Sequence, residues 1–535
     1  MTGIIRGVEE LPGRMEPYER VKGDVVEECD VCVIGSGAAG AVLANKLARS
    51  GRSVVLLEKG GYYEGEDMNQ RDEQMVPLLW KNGGINFTDD LRIAIGQGCC
   101  LGGSTVINDA VCFSIPGIVA EQWNSLGAGI SKQEWDGAIG EVSANIHVVP
   151  LREDELNRNS RMLKRGCELL GFKNHGVNSR NCIDCMQCGL CHLGCHYETK
   201  QDMRVTYIHR ALNDPGSDVR VYVNCAAGRI AHADGVVDRV EGTFLDSEGR
   251  LVCSIRVNPK VVVLSAGAIA SSQLLISNSI APGVAGRGLA LHPFPCILGE
   301  FDFEVRGNQG IPMEYALHDF GVTNGVADGG FLIEGIYLPP LQFAMYFPES
   351  GLEKLELMKR YDHYAMAGVL VRDDQNGTVS VTGSGNAKVS YSLGAKEIDA
   401  MARGAAVIAR MWFAQGATRV ITSHLGKKVL NSVDDVDGLA SAIRSDPKSL
   451  LLGSAHPQGG NRMGSDRGAC VVDSDCRVYG FKNLYVCDAS VFPTALGVNP
   501  QLTVMSLATI TANRMVAGWD DHPHDQQDAG SPARR

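Results

Sequence analysis

Glycines at 35, 37 and 40, in the run Gly35-Ser36-Gly37-Ala38-Ala39-Gly40, have the spacing that binds a dinucleotide pyrophosphate. Gly35 allows the tight turn, Gly37 lets backbone approach phosphate, and Gly40 lets a helix pack closely on a strand. A second stretch, residues 181–201 (NCIDCMQCGLCHLGCHYETKQ), sets Cys182, Cys185, Cys188, Cys191 and Cys195 at spacings x2, x2, x2 and x3. Short x2 loops let successive thiolates converge on an iron–sulfur cluster. The same residues suit a structural zinc completed by His192 or His196, a disulfide staple, or unliganded thiols, and the spacing leaves these open.

The glycines need a strand before them and a helix after them. Asp30-Val31-Cys32-Val33-Ile34 is a short β-prone run, and AVLANKLARSG after Gly40 is helix-like. A second apolar run, Ser53-Val54-Val55-Leu56-Leu57, ends in Glu58, at the offset where a dinucleotide fold places the acid that binds its adenosine ribose. The helix N-terminus then offers free N–H groups to the phosphates. By itself this motif does not choose between FAD and NAD. With 535 residues, 44% hydrophobic and 21% charged, the chain is expected to form two or more packed regions. Fifty basic against 62 acidic residues give a net charge of -12, and no Lys/Arg block is interleaved with aromatics, which argues against nucleic acid as a partner. The first thirty residues lack an apolar run of signal-peptide length, and no later window reaches a membrane span, so a cytoplasmic protein without a transmembrane segment is expected. In a reducing compartment the 17 cysteines are free, metal-binding or redox thiols. Cys29, Cys32, Cys99 and Cys100 fall in apolar segments and read as small core residues.

Three further segments carry a family resemblance. Gly98-Cys99-Cys100-Leu101-Gly102-Gly103-Ser104-Thr105-Val106-Ile107-Asn108 resembles the first signature of the glucose-methanol-choline (GMC) flavin oxidoreductases, GxxLGGSSxxN. Ser265-Ala266-Gly267-Ala268-Ile269-Ala270-Ser271-Ser272-Gln273-Leu274-Leu275 resembles the second, with Ser277-Asn278-Ser279-Ile280 in place of its usual SGIG ending. The stretch from Ser454 to about Met515, containing SAHPQGGNRMG and GVNPQLT, resembles the C-terminal part of that fold. Its NPxxT ending is most similar to cholesterol oxidases and other bacterial alcohol-oxidising members. The CGxCxxGC core followed by KQ resembles a branch that includes long-chain alcohol oxidases.

The resemblance implies an α/β fold: a Rossmann-type FAD-binding domain of GMC type and a discontinuous substrate domain of β-sheet plus helices. The expected organisation is a lead-in at 1–24 and an FAD-binding domain from 25–115, 200–300 and 450–520. A connecting region at 116–199, a substrate domain at 301–449 and a mobile tail at 521–535 complete it. VSVTGSGNAKVSYS and FLIEGIYLPPLQFAMYF, both within 301–449, are β-prone and are expected in a sheet over the flavin. The implied activity is FAD-dependent oxidation of an alcohol to a ketone or aldehyde, with hydride passing to flavin N5. A lipophilic alcohol, a sterol or a long-chain alcohol, ranks first. His456 aligns with the family's catalytic histidine and is assigned as proton acceptor. Asn499 aligns with the second active-site position and is assigned to orient the alcohol.

Gly102, Gly103, Ser104 and Asn108 are implied against flavin and pyrophosphate together with Gly35, Gly37, Ala38, Gly40 and Glu58. Asp488, Ala489, Pro500 and Thr503 are implied near the ribityl chain and ring. Sterol oxidases use an acid near the flavin, which makes Glu334 a further candidate. Some members attach FAD through a histidine immediately before the Asn of the first signature. Ile107 stands there, so the FAD is expected to be non-covalent. The electron acceptor stays open between oxygen and a redox partner protein or quinone. Two other functions fit the same fold: a non-redox lyase, and an electron-transfer subunit using flavin and an iron–sulfur cluster.

Overall fold

The computed structural model describes residues 3–11, 13–347 and 349–519. The tail at 521–535, expected to be mobile, lies outside the described residues. Val25–Ile34 forms a ten-residue strand whose last four residues, Val-Cys-Val-Ile, are all buried, as a strand covered on both faces requires. It lies between Ser53–Leu57 and Leu251–Leu264, parallel to both. Ile34 pairs with Leu57 and Leu264, and Leu264 pairs with Val486 of the strand Leu484–Val486. These four strands therefore end level. The residues that follow them, Gly35, Glu58, Ser265 and Cys487, share the carboxyl edge, where α/β sheets bind their ligands. Beyond Ser53–Leu57 the sheet continues through Asp218–Tyr222, Ile4–Gly7 and Tyr18–Arg20. On its other side it ends in the antiparallel strands Val236–Leu245 and Cys225–Ala233.

Helix Gly40–Arg49 follows the glycine turn, with Lys46 and Arg49 in its last turn, where the helix dipole favours cations. Helix Gln501–Ala517 is buried along most of its length because it packs between Gly40–Arg49 and Lys132–Asn145. Its start is thereby fixed beside the same sheet edge. No helix of the described residues is long and apolar enough to cross a membrane.

A second sheet is antiparallel throughout, in the order Val429–Leu430, Arg419–Thr422, Cys296–Glu300, Tyr364–Val371, Phe331–Gly335, Tyr315–Leu317, His175–Val177. It thus takes strands from before residue 301 as well as after. Successive side chains alternate between its faces. Phe331, Ile333, Val369 and Val371 join an apolar cluster with Met401, Ala405 and Ile408 of helix Ala395–Ala414. Glu334, Gly368 and Leu370 face the other way, into a cavity. The stretch 379–392 is β-structure, as expected, and forms a hairpin, but not in this sheet. Gly377–Val381 and Ala387–Tyr391 belong to a separate four-stranded sheet with Arg287–Ala290 and Gln458–Gly460. Of 331–347, only Phe331–Gly335 is strand. Pro339 and Pro340 lack the N–H that a ladder needs, and Pro340 opens the helix Pro340–Tyr346 instead.

Candidate active site

A cavity of about 670 Å³ draws its walls from both sheets, from the glycine turn that precedes helix Gly40–Arg49, and from the strand Leu452–Ser454 and the residues that follow it. At the first glycine turn, Gly35 has φ +100°, and a Cβ there would meet Ser265 O at 2.5 Å. A Cβ on Gly37 would meet nothing within 4 Å, so the space over that peptide is open to the cavity. No side chain caps the following helix, and although Ala41 N is taken by Gly37 O at 3.1 Å, the helix start is otherwise left without a side-chain cap toward an anion. An open peptide, an uncapped helix start and the level strand ends together fit a dinucleotide pyrophosphate.

Glu58 is buried at the next strand end. Its carboxylate accepts hydrogen bonds from Ser36 N (3.0 Å), Ser36 Oγ (2.6 Å) and Gly60 N (2.8 Å). Burial nevertheless raises its pKa above the usual carboxylate value. Ser36 Oγ also accepts from Gly102 N at 3.0 Å, which ties the first flavin signature to the glycine turn. Gly103, Ser104 and Asn108 line the cavity, as do Ala38, Asp488, Ala489 and Pro500. Asn108 Nδ2 donates to Gln501 Oε1 at 2.8 Å and so spends part of its capacity on the wall itself. Asp488 is held by Gly267 N (2.9 Å), Ser271 Oγ (2.5 Å) and Ser490 N (2.8 Å). Gly40, Gly102 and Thr503 stand behind the lining. A Cβ on Gly40 would strike Gly35 O at 1.8 Å, so its role is close packing. Thr503 is fully buried, whereas Gln501 and Val504, three residues apart on one helix face, reach the cavity.

The strand Leu452–Ser454 pairs in parallel with Ile93–Ile95, and Gly453 exchanges hydrogen bonds with Phe294 (2.9 and 3.0 Å). Only glycine fits at 453, because a Cβ would press into the Phe294 ring at 2.6 Å. This pinned strand delivers His456 to the cavity. The imidazole has no hydrogen-bond partner on Nδ1, and surrounding protein desolvates the ring and pushes its pKa down to about 4. It is neutral at pH 7 and able to accept a proton. Asn499, just ahead of helix Gln501–Ala517, is buried with Oδ1 unpartnered and lines the cavity together with Glu334. Glu334 is 4% exposed with Oε1 unpartnered. Burial first, and then the nearby Asp109, push its pKa up to about 8, so it is mostly protonated at neutral pH. Ile107, also lining the cavity, is aliphatic and presents no nucleophile.

Two side chains not assigned a role here from the sequence, Asp109 and His192, belong to the same walls, and a third, His292, stands behind them. Asp109 is 6% exposed, and its Oδ2 lies 2.7 Å from His192 Nε2. His192 Nδ1 is 3.2 Å from Gln342 Oε1, joining the cysteine-rich loop to helix Pro340–Tyr346. His292, behind His456 with ring centroids 5.6 Å apart, accepts from Gly497 N at 2.9 Å through Nε2. That bond fixes the turn preceding Asn499. Asp109 directly follows the first flavin signature, and His192 sits among cysteines that drew attention to metal chemistry instead.

The expected metal site is corrected by the side-chain directions. Among the described residues no group of three or more His, Cys, Asp or Glu is disposed to hold a metal ion, and all 17 cysteines are free thiols. Cys182 Sγ faces Arg180 (Nη2 at 3.4 Å), Cys188 Sγ faces Gln70 Nε2 (3.4 Å), and Cys195 Sγ accepts from Lys200 N (3.4 Å). Cys191 lies near Lys200 and is pushed up to about 12 by burial. The loop is held by the fully buried Lys200, whose Nζ donates to Val106 O (2.7 Å), Asn108 O (2.7 Å) and Cys191 O (3.0 Å).

Comparison with known proteins agrees with this architecture. The two family models for GMC oxidoreductases, N-terminal and C-terminal, match residues 30–294 and 373–508. An uncharacterised GMC-type oxidoreductase of Mycobacterium tuberculosis is 30% identical over 503 residues, 92% of this chain and 76% of that protein. A long-chain-alcohol oxidase of Arabidopsis thaliana is 29% identical over 517 residues, 91% of this chain and 68% of that one. The crystallised formate oxidase of Aspergillus oryzae shares the fold, with a TM-score of 0.67 at 15% identity, covering 92% of this chain and 99% of that one. The chain therefore belongs to the GMC oxidoreductases, flavoproteins that act on CH–OH donors.

Proposed function

We propose that this protein oxidises a lipophilic alcohol, a long-chain alcohol or a sterol, to the carbonyl, with non-covalent FAD as cofactor. FAD, when bound, supplies the acceptor for the hydride that leaves the alcohol carbon. The observation that carries the reading is His456, a neutral imidazole with an unspent ring nitrogen in the wall shared by Asn499 and Glu334. His456 takes the hydroxyl proton as the carbonyl forms. Asn499 lines the same cavity, and its amide N–H donates to the substrate oxygen, which it holds in line with His456. Glu334, kept protonated by burial, adds no negative charge beside the leaving proton.

Phe294, Met313, Ile336, Leu338, Leu370 and Met345 give the cavity its apolar walls, which favour an alkyl or sterol body over a sugar or choline. The division expected from sequence, with 25–115, 200–300 and 450–520 around the FAD and 301–449 over the substrate, suits this reading. Asp488, Ala489 and Pro500 would then line the ribityl and ring end, and Gly37, Ala38, Gly103 and Ser104 the pyrophosphate.

The test is anaerobic mixing of the purified flavoprotein with a long-chain primary alcohol and with a sterol. Wild type is expected to bleach its flavin with one of them, while His456→Ala retains flavin and does not bleach. Wild-type bleaching rates in His456→Ala would remove the assignment, and flavin left oxidised by every alcohol in wild type would favour a lyase. Flavin released quantitatively on acid precipitation is the expected sign of non-covalent attachment.

A further inference from the structure

Gly368 stands in the middle of the buried strand Tyr364–Val371, where a glycine weakens the strand and brings no side chain to pack. Across the sheet it pairs with Cys296 on one side and Glu334 on the other. Residues directly opposite one another in antiparallel strands share a face, so the space over Gly368 adjoins the Glu334 carboxyl. That carboxyl is buried, and its Oε1 has no partner among the described residues. Two ordinary reasons for a glycine are absent here. Gly368 does not use left-handed backbone. A Cβ on it would meet Ile336 Cγ2, Phe294 Cδ2 and Pro295 O, each at 3.7 Å, which is ordinary van der Waals contact. Gly299 in the adjoining strand Cys296–Glu300 is the contrast, because a Cβ there would press on the Trp412 ring at 2.7 Å. Packing demands Gly299, whereas neither packing nor backbone demands Gly368. Gly368 lines the cavity with Phe294, Ile336 and Glu334, and what its missing side chain leaves is cavity space.

We propose that Gly368 determines specificity by leaving room beside the reacting carbon for a second carbon substituent, so that secondary as well as primary alcohols are accepted. This rests on the reading of the cavity as an alcohol site with Glu334 beside the leaving proton. A primary alcohol carries two hydrogens on its carbinol carbon, and a secondary alcohol puts a carbon branch in place of one of them. With the hydroxyl held by His456 and Asn499 and the main chain laid along the apolar walls, the branch falls over Gly368, between Phe294 and Ile336. A methyl or larger group at position 368 would take that space first. In an apolar pocket one carbon too many is worth about 10- to 200-fold in kcat/KM, so the expected effect is large enough to read.

The test is anaerobic flavin bleaching of the full-length flavoprotein by 1-dodecanol and 2-dodecanol, isomers that differ in whether a methyl stands on the carbinol carbon. Wild type is expected to bleach with both. Gly368→Val should lower kcat/KM for 2-dodecanol on the order of tenfold or more relative to 1-dodecanol, and Gly368→Ala should act less in the same direction. Valine suits a strand, so flavin content and thermal unfolding should not fall, and Gly368→Ala carries the comparison where the valine variant does not load flavin. A second readout needs no turnover: 2-dodecanone titrated into the oxidised flavoprotein, followed by the perturbation of flavin absorbance, should bind more weakly from wild type to Ala to Val. Equal losses with both alcohols in both variants, or a wild type bleached by 1-dodecanol and not by 2-dodecanol, would overturn the proposal. A wild type bleached by neither, with ketone affinity still falling along the series, would remove the alcohol-oxidation reading and support the role of Gly368. No bleaching and no graded affinity would overturn both.

Discussion

Two histidines face the same cavity, and their hydrogen bonding separates them. His456 has no partner on Nδ1 and is pushed down to about 4, so it is neutral and unspent. His192 uses both ring nitrogens, on Asp109 at 2.7 Å and on Gln342 at 3.2 Å. Location in a cavity does not assign a proton acceptor, whereas capacity left over after the fold has taken its share does. The sharpest test is the matched pair His456→Gln and His192→Gln, read as the rate of flavin bleaching by substrate. Loss of a general base costs about 10²- to 10⁴-fold, so His456→Gln is expected to fall in that range. In wild type the bleaching rate should hold as pH falls from 7 to 5 and drop as it nears 4, where His456 becomes protonated. A drop already complete near pH 6.5 would mean that a histidine with an ordinary pKa carries the step.

The two buried carboxyls, Glu334 and Asp109, repeat the contrast. Asp109 has an imidazole at hydrogen-bond distance, whereas Glu334 has Oε1 unpartnered, and burial raises its pKa to about 8. A folded-state pKa above the unfolded value means that the native protein binds an extra proton between about 4.5 and 8. Stability from this group is therefore full below pH 4.5 and is lost as pH rises toward 8, at most about 1.4 kcal/mol for each pH unit. Glu334→Gln removes that slope. The difference between variant and wild type, from urea unfolding at pH 5.5, 6.5 and 7.5, should move steadily in the variant's favour. Asp373 and Glu314 also titrate high, at about 6 and 7, but they are common to both proteins and cancel. A pH-independent difference would mean that Glu334 is ionised in the fold.

The sequence made the glycine turn legible because there the backbone itself is the binding group. Gly35, Gly37 and Gly40 act by what they lack, and spacing alone reports that. The antiparallel sheet was less legible. The β-prone residues at 379–392 located β-structure there but could not say which sheet it joins, since pairing with Arg287–Ala290 is a long-range contact. The cysteine run misled because spacing fixes the order of the thiols and not their directions. Those are set by Arg180, Gln70 and Lys200, which the run does not advertise as partners. His192 lay in plain view within it, but its partners Asp109 and Gln342 are 83 and 150 residues distant.

That distance defines the smallest effect expected. His192 links the flavin signature, through Asp109, to helix Pro340–Tyr346, through Gln342. The helix is also held by Leu341 N to Asp72 Oδ2 (2.7 Å) and Tyr346 OH to Phe294 O (2.5 Å). With those two bonds intact, His192→Gln should leave the helix in place. A glutamine amide can still donate to Asp109, so the buried carboxylate keeps a partner and the cost should be about 1 kcal/mol, the worth of one ordinary hydrogen bond. Bleaching should slow by less than tenfold with flavin content unchanged, any change falling on KM, because Gln342 and Met345 line the substrate end. A loss as large as that of His456→Gln would mean that the two histidines share the proton and that the contrast between them is wrong.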